Sequence, residues 1–588
     1  MKLKRIFSTA QKVGKGAAAR ACAVLLWAFV SSPVAIAQQR PPDSGAVLES
    51  IKKPATPPKP APEVLPRAPE PRPALGAPGL KVVVNGFRIT GNTIYPEDLL
   101  LAEVKEFVGK EQTIDGLNDA ATKVRAYYRE RGYFLVQAYL PQQEIKGGVI
   151  EIAVIEARIG KVGLNLKAGT RYSETLVRGI IEQHLKEGAI ITETSLETPL
   201  LLLNDLPNAT VTSEIKPSQT VGAADLVISV SDDAPSLVSG SIDADNYGNR
   251  YTGAWRGGIS LNLSNPFALG DQLSYRGFTT DEDMLFQRAA YVVPVGYWGT
   301  RVGVAYSDFQ YRLGKDFAPL LAHGQGTVKT VYAFHPFIRT RGANLILQAA
   351  YETKTLNDRV DTTSSNVDRI INTAKLGLVG DFRDSVFGGG LNSYSYTVTE
   401  GHGTINQAAV LAVDQAANGP HTAGSFAKSN YEFRRLQKLT DNSNLLIAIQ
   451  GQKGSKNLMS AEKFSLGGPS GVRSYPTGEA LGDTGVIFQA EYRYIVPGSR
   501  LGGGDVSLSG FYDQGWVRIN ENPLPATGNP AVDNNSRTLT GYGIGASIGR
   551  DSDYILRWMA AWKLENEAAQ SDPAPRNPRV WVQAIKWF

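Results

Sequence analysis

Residues 255–264 read WRGGISLNLS. Trp255, Gly257, Ile259, Leu261 and Leu263 alternate with Arg256, Gly258, Ser260, Asn262 and Ser264, the two-residue period of an extended strand with one apolar and one polar face. In a membrane barrel the apolar face meets lipid and the polar face lines the lumen. Carried along residues 235–588, the same test picks out sixteen segments, starting near residues 236, 252, 271, 286, 300, 326, 343, 366, 390, 424, 443, 484, 504, 538, 553 and 579. Their spacing suits strands of about 10 residues joined by unequal loops. Short links such as Arg341-Gly342 and Gly549 to Ser552 follow even-numbered segments. Arg312 to Gln325, His402 to Ala423, Lys456 to Gly485, Val517 to Arg537 and Glu565 to Pro578 follow odd-numbered ones. Periplasmic turns of outer-membrane barrels are short and exterior loops long, so this parity predicts both barrel ends in the periplasm. Phe588, after Trp581 and Trp587, is a terminus of the kind outer-membrane proteins offer to their assembly machinery, although Lys586 interrupts its outward apolar row. A soluble sandwich or β-helix is the competing architecture, and it leaves the parity unexplained.

The longest link contains Phe464 to Gly485, FSLGGPSGVRSYPTGEALGDTG, with six glycines, two prolines and no periodicity. A long glycine-rich loop in a strand-rich protein usually carries function. It follows the eleventh segment, so it starts outside, and residues 455–485 are long enough to fold back into the lumen. On the thirteenth segment Val506, Leu508, Gly510 and Tyr512 share one face and leave Ser507, Ser509, Phe511 and Asp513 pointing inward. The twelfth turns Gln489, Glu491 and Arg493 inward, opposite Phe488, Ala490 and Tyr492. Arg473, on the loop, is placed to make a charge-assisted, bidentate bond to an inner-wall carboxylate. Asp513 and Glu491 both qualify, and the sequence does not choose between them; the bland alternative is a solvated Arg473.

Upstream, Lys2, Lys4, Arg5, Lys12, Lys15 and Arg20 precede the apolar run Ala21 to Val30 and Ala35-Ile36-Ala37, the pattern of a secretory leader over 1–37. The one cysteine, Cys22, falls inside it, and much of the formal +5 charge does too, so neither disulfides nor nucleic-acid binding are expected. Residues 38–79 are an N-terminal segment and a proline-rich, semi-rigid tether. Within it Ser44 to Lys53 reads either as a short amphipathic helix, with Ala46, Val47, Leu48 and Ile51 available to plug the lumen, or as an unstructured tail. Residues 80–159 show strands at Val82 to Ile89, Phe134 to Leu140 and Val149 to Ile155 around helices from Pro96 and Thr113. The order β-α-α-β-β repeats over 160–234, which suggests a duplicated module.

Five scattered histidines show no metal-ligand spacing, and no nucleophile elbow or phosphate loop is found, so no catalytic residue, metal or cofactor is expected. Gly541, Gly543 and Gly545 lack the βα setting of a dinucleotide motif and read as glycines on one strand face.

FRITGNTIY at 87–95, followed by RGYFLVQAYLPQQEIKGGVIEIAVIEARI at 131–159, resembles the first POTRA domain of two-partner secretion (type Vb) outer-membrane transporters, the TpsB family of haemolysin activation/secretion proteins. The likeness continues through NPFALGD at 265–271, GPSGVRSYP at 468–476 and GFYDQG at 510–515. The resemblance implies a mainly β chain: two α/β POTRA modules, 80–159 and 160–234, before a 16-stranded antiparallel transmembrane β-barrel over 235–588. It implies that the loop motif Gly471, Val472, Arg473, Ser474, Tyr475 and Pro476 anchors through Arg473 on Asp513 of the strand motif that ends at Gly515. Family members often have glycine where this chain has Ser474. It further implies an outer-membrane protein that captures an unfolded secreted passenger of TpsA type in the periplasm and exports it without ATP. Outer-membrane lipid and, through Phe588, the barrel assembly machinery are the other expected partners, and a monomer is expected. An insertase of other outer-membrane proteins is the alternative from the same superfamily; a passive porin leaves the POTRA modules unexplained.

Overall fold

The computed structural model describes residues 41–51, 81–220, 222–232, 237–528, 533–565, 567–574 and 576–588. The expected leader over 1–37 and, of the expected N-terminal segment and tether over 38–79, residues 38–40 and 52–79 lie outside the described residues.

The first module runs through strand Gly86–Thr90, helices Glu97–Val104 and Ile114–Arg129, and strands Gln137–Tyr139 and Val149–Ile155. The last strand is central, parallel to the first and antiparallel to the second. The long helix begins where the Thr113 side chain accepts a hydrogen bond from the Gly116 N–H at 3.3 Å, satisfying a donor that would otherwise be orphaned. It buries Leu117, Ala120, Ala121, Val124 and Tyr128, one stripe at helical spacing. The strand expected over Phe134 to Leu140 is shorter, because Phe134 and Leu135 leave the ladder and pack into the core of the next module. That module repeats the topology with strands Arg158–Leu166, Ala209–Pro217 and Ala223–Asp232 and helices Glu174–His184 and Glu193–Asn204. At the junction Glu156 accepts hydrogen bonds from Thr93 N at 2.8 Å, Ile94 N at 2.9 Å, Tyr128 Oη at 2.9 Å and the Thr93 hydroxyl. Burial alone would raise its pKa; these donors outweigh it and hold the carboxylate below its ordinary value.

Sixteen strands then close a barrel. In order they are Val238–Asp245, Arg256–Ser264, Gln272–Thr280, Leu285–Pro294, Arg301–Arg312, Ala322–Arg339, Ala343–Val360, Ser365–Asp384, Gly390–Ile405, Gly424–Thr440, Ser443–Gly454, Thr484–Leu501, Gly504–Arg518, Ser536–Arg550, Tyr554–Lys563 and Arg579–Trp587. Each pairs antiparallel with its neighbours, and the last returns to the first from Gln583↔Asp245 to Trp587↔Ser241. Every start expected from the alternation lies within four residues of an observed one. Val304, Val331, Tyr351, Leu376, Tyr396, Leu508, Ile544 and Trp558 are exposed around the outer wall, an apolar band that belongs in lipid. Among the described residues no helix is long and apolar enough to cross a membrane.

The links depart from the expected parity in two places. Those after the third and seventh strands, 281–284 and 361–364, are as short as the turns at the opposite end. Around the second of these the strands themselves lengthen, the sixth, seventh and eighth running for 18, 18 and 20 residues. Above the lipid-facing Leu376, Leu378 and Phe382 the outward row of the eighth strand changes to Asn372, Asp368 and Asn366, and the ladder continues as a polar-faced wall. For the same reason Ala322 to Gln325 and His402 to Ile405, expected in loops, are paired strand.

The second module docks on the turns after the second, fourth and sixth strands. Asp205 accepts from Arg339 Nε at 2.8 Å and Nη2 at 2.7 Å. Thr198 donates to the Arg339 carbonyl at 3.1 Å, and Glu197 accepts from Arg341 N at 3.1 Å. Leu202 lies against Gly299 and Pro336, and Asn265 donates to the Arg171 carbonyl at 3.3 Å.

Candidate functional site

The link between the eleventh and twelfth strands turns into the bore. Its path needs left-handed backbone at Gly468 (φ 116) and Gly478 (φ 83), which glycine adopts at no steric cost. Val472 N donates to the Leu466 carbonyl at 2.8 Å, and Val472 and Tyr475 are fully buried with Leu466, Ile487, Val517 and Leu539. Gly471 and Gly515 face this cluster, where a Cβ on either would press on Leu466. Pro476 follows at the turn back.

At the tip Arg473 Nε and Nη2 donate to the two oxygens of Asp513 at 2.8 and 2.7 Å, and its backbone N–H adds a third bond at 3.0 Å. Nη1 donates to Glu491 at 2.5 Å, and the guanidinium lies 3.5 Å from the centre of the Phe511 ring. The two carboxylates left open by the sequence are therefore both partners, Asp513 bidentate and Glu491 single. Arg493 Nε holds the second Glu491 oxygen at 2.7 Å, and Trp581 Nε1 donates to the Arg473 carbonyl at 2.7 Å. Asp513 is 0 % exposed and Arg473 5 %, so each charge has lost its water and depends on the other. Gln489 Nε2 and Gln450 Nε2 fix the carbonyls of Gly471 and Ser470 at 2.9 and 3.1 Å.

Ser474 fits because of the strand beside Asp513, whose Gly541 and Gly543 pair with Asp513 and Phe511. A Cβ on Gly541 would run into the Ser474 side chain, and one on Gly543 would meet the Phe511 ring that carries Arg473. The glycine stripe is space cut into the inner wall for the loop.

Two further charge clusters hold the loop, and sequence reasoning did not reach them. Glu462 accepts from Lys354 and Lys428. Glu479, 0 % exposed, takes Arg537, the N–H groups of Gln570 and Ser571 at 2.9 and 2.7 Å, and the Ser571 hydroxyl at 2.6 Å. The signal was available in part, since the two-residue period turns Lys354 and Lys428 inward.

Ser44–Ile51 is an α-helix inside the barrel; the expected Lys53 end lies outside the described residues. Ser44 N and Oγ donate to Asp358 at 2.7 and 2.9 Å, and Ser460 Oγ donates to Asp43 at 2.8 Å. Val47 and Leu48 are 2 % and 9 % exposed within an apolar cluster with Tyr251, Phe286, Phe309, Leu356 and Met459, and Ile51 packs on its margin. Ala46 is half-buried and lies outside that cluster. Gly45 is pressed against Ser460 and Ala461, where a Cβ would collide. The helix thus rests directly on the stem of the inward loop.

A family model described as haemolysin secretion/activation protein ShlB/FhaC/HecB matches residues 222–548, and one described as a ShlB-type POTRA domain matches 82–157. The chain is 27 % identical over 493 residues, 84 % of either chain, to the heme/hemopexin transporter protein HuxB of Haemophilus influenzae. It is 24 % identical over 397 residues, 66 % of this chain and 68 % of the other, to the outer membrane transporter CdiB of Dickeya dadantii (strain 3937). Among solved structures, CdiB from Escherichia coli superposes with a TM-score of 0.66 at 21 % identity, covering 90 % of this chain and 94 % of that one.

Proposed function

The chain belongs to the haemolysin secretion/activation family ShlB/FhaC/HecB, outer-membrane transporters with periplasmic POTRA domains, and from that premise we propose that it exports one exoprotein, recognised unfolded in the periplasm. Among the described residues Gln137–Tyr139 is an edge strand of the first POTRA sheet and Ala209–Pro217 of the second, and an extended passenger can add to a sheet edge through main-chain hydrogen bonds, with side-chain pockets giving choice. Folding of the passenger outside gives the direction of transport, so no ATP enters the scheme.

The observation that carries this reading is the filling of the bore by two segments that are not part of its wall, the helix Ser44–Ile51 and the loop with Arg473 at its tip. In this scheme the helix is a resting plug that withdraws when passenger arrives. Arg473, held by Asp513 and Glu491, sets the working position of the loop, and residues 38–79, 80–159, 160–234 and 235–588 act as tethered plug, two recognition modules and pore. Phe588, whose backbone pairs with Gly240 at 2.9 and 3.0 Å, is the handle for barrel assembly.

Deleting the gene should abolish one large secreted protein and leave other outer-membrane barrels at normal levels; a broad fall in those barrels would instead indicate an insertase. Arg473→Ala and Asp513→Ala should each cut secretion at least tenfold while the barrel stays assembled and heat-modifiable on gels. Full secretion by both variants would overturn the role given to the loop.

A further inference from the structure

The turn between the eighth and ninth strands, Ser385 to Gly389, lies at the periplasmic end of the wall. Its apex residue, Phe387, is 88 % exposed and sits at φ 54, ψ 36. A bulky residue in left-handed backbone is a genuine outlier, and it persists only where the surroundings over-determine it. Here they do so from the outer face of the barrel. Asn392 and Arg435 share a register row with Phe382, which is exposed on the apolar band, and Gln437 is the next outward position after Arg435. The Gln437 side-chain amide donates to the carbonyls of Phe387 and Gly389, both at 2.9 Å. Arg435 donates to the Val386 carbonyl at 3.2 Å and to both oxygens of Asp384 at 2.6 and 3.0 Å. Asp384 also accepts from Asn392 at 2.6 Å and Val386 N at 3.0 Å. Gly390 leaves room for the guanidinium, which a Cβ there would meet at 2.6 Å.

The carbonyls of Val386, Phe387 and Gly389 are all taken up in this network, and two apolar side chains project from the turn: Val386, 51 % exposed, and Phe387. Phe433 and Leu439, on the tenth strand that carries Arg435 and Gln437, are also exposed. We propose that the turn is a fixed apolar wedge seated in the periplasmic leaflet of the outer membrane, with the network of Asp384, Arg435 and Gln437 at headgroup depth. The occupant is phospholipid rather than protein because the network lies on the lipid-facing wall and the projecting residues continue its apolar band. Aromatic side chains favour that interface, and hydrogen-bonded polar groups enter it without the cost of losing their partners. The wedge fixes the depth of strands eight to ten, beside the turns that carry the second module.

The only cysteine, Cys22, lies in the expected leader, so a single cysteine placed in the mature chain can be labelled. A spin label on Phe387→Cys, in the full mature protein reconstituted into phosphatidylethanolamine/phosphatidylglycerol vesicles, should meet oxygen several-fold more readily than a polar nickel chelate. A label on Asp551→Cys, in the turn after the fourteenth strand, should show the reverse. Equal, water-like accessibility at both sites would overturn the proposal, as would shielding of position 387 in whole cell envelopes but not in protein-free vesicles, which would assign the wedge to a protein. Should Phe387→Cys fail to assemble, Val386→Cys reads the same environment. Adding Phe387→Gly to it, which suits the left-handed backbone, should keep the fold and bring the label at 386 towards the accessibility seen at 551.

Discussion

Arg473 commits its guanidinium edge to two carboxylates and its face to Phe511, which leaves no freedom for the residue that follows it. Ser474 is accommodated only because Gly541, the register partner of Asp513, leaves space for it on the adjoining strand. Gly541→Ala should therefore displace the loop tip and lower secretion severalfold, and adding Ser474→Gly should restore most of it, since contacting residues couple rather than add; secreted passenger per assembled barrel is the measure. Alternation alone was enough to turn Asp513 and Glu491 inward, and the length of the loop after the eleventh strand was enough to bring Arg473 within reach of them. It did not show that one guanidinium spans both. That depends on register: Gln489 pairs with Asp513 and Glu491 with Phe511, so the carboxylates stand diagonally across two strands. A register shift between Ile495 and Arg500 contributes to this offset, and no side-chain pattern announces it.

At the scale of elements, the luminal helix is eight residues long, too short to be stable alone in water. Its order comes from Asp358, Ser460 and the apolar cluster. Asp358→Ala removes the acceptor for both Ser44 donors and the partner of Arg369 at 2.6 Å. It should raise the open fraction of single pores in planar bilayers, towards the value seen when residues 41–51 are deleted. The segment was recognisable as amphipathic, but its choice between helix and coil was not, because the deciding contacts lie more than 300 positions away in the chain. Strand lengths were hidden for a related reason: the rule that finds lipid-facing rows stops at the headgroups, while the hydrogen-bonded ladder of strands six to eight does not. In the first periplasmic module Glu156 makes a different kind of contribution. Its folded pKa lies below the ordinary carboxylate value, so its stabilisation is complete above the unfolded pKa of about 4.3 and is lost as pH falls through the folded value. The melting transition of the module, followed by circular dichroism in detergent, should be flat from about pH 7 to pH 5 and fall below about pH 4. Glu156→Gln should lower it at neutral pH by about 1–3 kcal/mol, because an amide cannot accept from all four donors.

For the whole molecule, the attachment of module to barrel rests on few groups. Asp205 is the hub, accepting two nitrogens of Arg339 through its side chain and the Arg301 guanidinium through its carbonyl. Asp205→Ala should leave the barrel heat-modifiable but speed limited proteolysis between module and barrel and reduce export; an unchanged cleavage rate would show that Leu202 and the neighbouring apolar contacts suffice. The sixteen strands and two modules were legible because they repeat simple periods, whereas this docking surface mixes two helices with three turns distant in sequence and has no period to read. The apolar cluster of Val47, Leu48, Phe286, Phe309 and Leu356 inside a conduit for polypeptide has a thermodynamic consequence. Vacating the bore wets those side chains, and hydration of apolar surface raises heat capacity. The closed-to-open equilibrium must then curve with temperature, and since cooling weakens the apolar contribution, a part of the seal that is firm when warm loosens in the cold.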